Sequence, residues 1–133
     1  MLKAKNYIVF MFLEILTVPV VILLFKFLEP KKIAAAIAGT LFVSLGFYIY
    51  STSFKAKKSL TLYASFAHLF FLSMPMLIKR LVYWKSDFDE ILFYGIPGPQ
   101  FHKLSETFFI ILFSASLIDL VRIKFESLRS GSH

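Results

Sequence analysis

Residues 33–54 run between Lys32 and Lys55 without a single charged side chain. A helix of that length is about 33 Å long, close to the thickness of bilayer hydrocarbon. A soluble helix keeps a polar face toward water, and this run has none of the charged residues that usually supply it. The same pattern recurs along the chain. Residues 7–25 form an apolar run with a basic lead, Lys3 and Lys5, and end at Lys26. Residues 60–78 carry no formal charge except a possible one on His68, and close on Lys79-Arg80 and the aromatic pair Tyr83-Trp84. Residues 101–123 form the last run, with ionisable groups at both ends.

Composition explains why these runs cannot all be hidden from solvent by folding alone. The chain has 133 residues, of which 58% are hydrophobic, and 17 are Phe. A soluble domain is nearer half apolar and its apolar runs are short. The expected fold is therefore all-α: a single-domain integral membrane bundle of four transmembrane helices over residues 1–127. Residues 128–133 form a polar tail, and Ser130-Gly-Ser-His133 has the composition of an expression-tag scar. The first run is expected to be retained as a span, because it is long, contains Glu14 and Pro19, and lacks a small-x-small cleavage site. The lipid bilayer is thus the first partner to expect.

The connections carry their own signals. Glu29-Pro30 ends the first helix, since proline disfavours helix at the residue before it. Residues 55–58 are a basic turn. The only long connection, residues 79–100, mixes acids with large apolar side chains over residues 87–94, which reads as a short amphipathic helix in the interface between helices three and four. Residues 95–99, with two glycines and two prolines, read as a rigid turn that cannot be regular helix. On the second helix Ala35 and Gly39 stand four apart, as do Ala36, Thr40 and Ser44. This spacing lets backbones approach closely and predicts self-association or a partner membrane protein.

Four spans place both termini on one side. That side carries Lys3, Lys5, Lys55, Lys57, Lys58, Arg122, Lys124 and Arg129, eight in all. The other carries Lys26, Lys31, Lys32, Lys79, Arg80, Lys85 and Lys103, seven in all. Cytoplasmic loops hold the excess of Lys and Arg, so both termini are expected in the cytoplasm of a multi-pass protein, at the inner membrane if the source is bacterial. The net charge of +7 is explained by these clusters at span ends. It does not point to nucleic acid, because no basic patch is interleaved with aromatic residues.

An ionisable group at the centre of a span costs about 2.5–3.5 kcal/mol on insertion scales, so each one present asks for a reason. Counted at about 1.5 Å per residue, Glu14, His68 and Asp119 fall in one slab on three helices, with Tyr63 at similar depth. These four are the candidates for a proton or ion pathway. The competing reading of Glu14 and His68 is a hydrogen-bonded pair that fixes helix register. A second polar cluster lies toward the opposite face: Arg80 ends the third helix, His102 and Glu106 begin the fourth, and Arg80 and Glu106 are placed to pair. No metal or cofactor is expected, since His68 and His102 are too far apart to hold a haem together and no zinc spacing exists. No catalytic residue is assigned. The chain has no cysteine, no phosphate-binding Gly loop and no nucleophile elbow.

Four short spans with a single Glu in the first resemble the small multidrug-resistance transporters in topology and in Glu14. The aromatic and glycine pattern of their substrate site is missing from the later spans, and His68, Arg80 and Asp119 add charges, so their function is not carried over. Two functional classes follow. One is an oligomeric transporter or channel moving protons or another ion past Glu14 and His68. The other is a non-catalytic membrane subunit or scaffold that holds a partner.

Overall fold

Each apolar run folds as a helix. A computed structural model describes residues 3–55 and 59–130. Helix α1 spans Ala4–Phe27. Its first turn is closed by Asn6, whose Oδ1 accepts the Lys3 backbone N–H at 3.0 Å, half of a capping box. Pro19 lies within α1 without ending it. Helix α2, Lys31–Ser53, starts directly after Pro30, where a missing N–H costs nothing. The third long helix, Leu60–Val82, has three parts: α3 (Leu60–Ala67), a π-helical stretch (His68–Ser73) and α4 (Met74–Val82). Helix α5 runs from Gly98 to Ser130. The first, third and last helices overrun the expected 7–25, 60–78 and 101–123. The expected polar tail is helical as far as Ser130; residues 131–133, and Lys57 and Lys58 of the basic turn, lie outside the described residues.

The π-helical stretch has a local cause. Pro75 has no N–H to give the previous turn, and its ring crowds the carbonyl four residues back, at Phe71. Widening the backbone just before it, over His68–Ser73, relieves that crowding. The widened turn brings residues five apart onto one face, and so sets His68 beside Ser73.

The helices pack as a ring. Helix α1 lies against α2 and α5, and the third helix also lies against α2 and α5, so these two face each other diagonally. One core cluster, Tyr7, Phe10, Leu45, Ile49 and Leu112, fills the end near the start of α1. Small residues let α2 approach the third helix: Gly39 and Gly46 face Leu77 and Leu69, and Ala35, one turn before Gly39, is buried. The Ala35/Gly39 pattern is therefore used inside the chain, while Thr40 and Ser44 of the other pattern are exposed. Ala4–Phe27, Lys31–Ser53 and Leu60–Val82 are each long and apolar enough to cross a membrane. In α1 only 11% of the most apolar stretch is buried within the molecule. Phe12, Ile15 and Ile22 are all more than half exposed.

The long connection differs from the expected amphipathic helix. Phe88–Glu90 is a single 3-10 turn, and Leu92–Phe93 pairs antiparallel with Ile96–Pro97 as a minimal hairpin. Tyr94 and Gly95 both have positive φ, 55° and 82°, as a two-residue type I′ turn requires. That turn chemistry outweighs the helical spacing of acids and apolar residues over 87–94. The hairpin folds onto the bundle end, where Phe93 stacks on Phe101 at 4.5 Å and joins Leu72 and Ile91 in a second core cluster. Nor are residues 95–99 wholly non-helical. Gly98 and Pro99 form the first turn of α5, where proline is tolerated. A side chain at Gly98 would run into the Phe88 carbonyl and ring. Gly98→Ala is therefore expected to lower stability by about 1–3 kcal/mol, the usual cost of overpacking, measured by chemical unfolding of the purified protein.

Candidate functional site

Two carboxylates are fully buried, Glu14 on α1 and Asp119 on α5, and the chain treats them in opposite ways. The described backbone resumes at Ser59, the N-cap of α3, where the first helical N–H groups have no partner within the helix. Asp119 reaches across from α5 to fill that role. Its Oδ2 accepts the Thr61 N–H at 2.8 Å, the Thr61 hydroxyl at 2.7 Å and the Ser59 hydroxyl at 2.7 Å. Its Oδ1 accepts the Leu60 N–H at 3.2 Å and lies 3.1 Å from Nη2 of Arg122, one turn along the same helix. Tyr7 of α1 donates its hydroxyl to Ser59 Oγ at 3.1 Å. One acid thus joins α1, α3 and α5, with a helix N-terminus and a guanidinium to balance its charge.

Glu14 has far less. Ser116 Oγ lies 3.3 Å from its Oε1, a long bond, and shares its single proton with the Leu112 carbonyl at 3.1 Å. Glu14 Oε2 has no hydrogen-bond partner among the described residues. A buried carboxyl with unmet hydrogen-bonding capacity is costly and calls for an explanation.

His68 is also buried. Its Nδ1 lies 3.0 Å from Ser73 Oγ, the contact that the π-helical turn creates. Its ring sits against Phe109 and Phe42, with centroids 5.7 and 6.3 Å away. The neighbours on α5 give relative depths. Ser116, beside Glu14, is about two turns (about 10 Å) from Phe109, beside His68, and about one turn from Asp119. The structure therefore staggers Asp119, Glu14 and His68 along the bundle instead of holding them in one slab, and Glu14 makes no hydrogen bond to His68. Tyr63 is 61% exposed, in contrast to the three buried groups.

At the other end, His102 Nε2 and Glu106 Oε1 are 2.9 Å apart on the exposed side of α5. Arg80 does not complete the expected pair with Glu106. Its guanidinium is centred 3.7 Å over the Phe88 ring, because the 3-10 turn brings that ring to the end of α4. Lys79 donates to the Leu92 carbonyl and lies 5.5 Å from the Phe93 ring centroid. Among the described residues no three His, Asp or Glu side chains converge as metal ligands.

Ser59, Thr61, Tyr7 and Ser73 were not singled out as site residues from the sequence. The Ser59-Leu60-Thr61 run just before an apolar stretch is an N-cap signal and marks the first two. Replacing Asp119 with Ala leaves the first turn of α3 without its acceptor. It is expected to cost about 3–5 kcal/mol, whereas Glu14→Gln, which keeps an acceptor for Ser116, should stay within about 1 kcal/mol; chemical unfolding of both variants checks the contrast. Compared with protein-family models, curated proteins and solved structures, the chain matches none.

Proposed function

We propose that the chain is a small multi-pass membrane protein that moves protons or another small cation across the bilayer, with Glu14 as the binding group and His68 as a second station. The single observation that carries this reading is the contrast between the two buried acids. Asp119 has a full set of donors around both oxygens. Glu14 has one long bond and a buried oxygen with none among the described residues. A structural acid is expected to look like Asp119, whereas an acid that takes up and gives up a cation needs spare capacity, and ionisable groups within apolar helices mark such routes. The staggered depths of Asp119, Glu14 and His68 suit a stepwise path, and proline-relieved π turns such as the one around His68 are frequent at working sites.

In this reading α5 is the fourth span. It has no charge between Glu106 and Asp119. Both termini then share a face, assigned to the cytoplasm on the excess of Lys and Arg. The wide exposure of apolar side chains on α1 supports contact with lipid or with further copies of the chain. A non-catalytic subunit that holds a partner membrane protein is the second reading. It is favoured by the outer face of α2, where exposed Thr40 and Ser44 leave room for another helix.

Proteoliposomes carrying a pH-sensitive dye separate the two. The transport reading expects proton or monovalent-cation flux above empty liposomes, lost in Glu14→Gln and slowed in His68→Ala, with both variants folded. Absent flux from wild-type protein, together with a stoichiometric co-purifying membrane partner, would replace it with the subunit reading.

A further inference from the structure

A cleft opens where α4 ends, outside the buried polar path. It is lined by Lys32 at the start of α2, by Arg80, Trp84 and Asp87, and by the Phe88 ring. Arg80 is the unusual member. It is partly buried and stacked on Phe88. Among the described residues that ring contact is the one interaction its guanidinium makes, with neither a carboxylate nor a carbonyl as acceptor. Five N–H donors are thus held by an aromatic ring and left unspent. Lys32 points into the same cleft, and its ammonium donates to the Trp84 carbonyl at 2.6 Å, which ties α2 to the far wall and leaves it further donors.

We propose that this cleft binds the phosphodiester of a membrane phospholipid headgroup. A guanidinium presents paired donors that match two phosphate oxygens, and stacking on Phe88 fixes its plane in advance. Lys32 adds a second cation. Asp87 brings one negative charge, so the three ionisable side chains sum to +1, which suits a monoanionic diester better than a dianionic free phosphate. Trp84 and Tyr83 are exposed beside it at the end of an apolar helix, as aromatic residues are at the headgroup level. The proposal rests on the reading of the chain as a membrane protein, and it deepens that reading by assigning a lipid site.

Trp84 is the chain's one tryptophan, so its emission reports on this cleft alone. The purified full chain in detergent is titrated with short-chain phosphatidylglycerol while Trp84 emission is followed. A saturable change is expected, weakened at least about tenfold in Arg80→Gln and also weakened in Lys32→Gln. Arg80→Lys keeps the charge and loses the fork, and is expected to fall between wild type and Arg80→Gln. Inorganic phosphate at the same concentrations is expected to leave the emission unchanged and not to compete. Equal affinity for wild type, Arg80→Gln and Arg80→Lys overturns the proposal, as does competition by inorganic phosphate at concentrations equal to the lipid's. Flotation with phosphatidylcholine vesicles is the separate control: a chain that does not float sinks the membrane reading itself, whereas one that floats but fails the titration loses only the cleft.

Discussion

The capture of an isolated helix start by a carboxylate from another helix organises this fold. The first N–H groups of α3 point into the bundle, where no water can be relied on to meet them. Asp119 meets two of them, two hydroxyls and a guanidinium at once. In doing so it sets the register of α5 against α3, because a shift by even one turn would carry the carboxylate past its donors. Tyr7 extends the same network to α1 through Ser59. Apolar packing between helices tolerates sliding; a set of short directional bonds at one end does not. The depths of Ser116 and Phe109, and so of everything beside Glu14 and His68, follow from where Asp119 holds α5.

At the other end the constraint is steric. The hairpin and 3-10 turn lie over the start of α5, with Phe93 stacked on Phe101 and Phe88 against Gly98. These contacts also bring Phe88 under Arg80. A connection that reads as a surface helix thus becomes part of the core at one end and of a charged cleft at its rim. The π-helical turn before Pro75 lies between the two ends and gives the third helix a local irregularity, one that points the His68 ring at Phe109.

The helices were legible in the sequence because long apolar runs with few or no charges leave few alternatives, and because Pro30 and the basic turns mark where the early ones stop. Glu14, His68 and Asp119 stood out for the same reason: a charge in an apolar run is conspicuous. Their partners were less legible. Counting residues from helix ends gave one shared depth, but the helices begin and end at different heights and the third is locally unwound, so the three groups are staggered. Tyr63 shares their depth along the sequence, and depth carries no information about which face a residue takes; it is mostly exposed where they are buried. Arg80 was paired with Glu106 on charge, yet the loop between them folds inward and offers Phe88 first. The hairpin was written in Tyr94-Gly95, and its signal was masked by the helical spacing of its neighbours.

Helix α5 is one unbroken rod fastened at its start, by Gly98 beneath Phe88, and about two thirds of the way along, by Asp119 in the α3 cap. A rod clamped at two points can bow or lean, but it cannot spin about its long axis unless both clamps release together. Any rearrangement that swings Ser116 away from Glu14 must therefore either flex α5 between its fastenings or be felt at the hairpin some 30 Å away. Events at one surface of the molecule then have a mechanical path to the other.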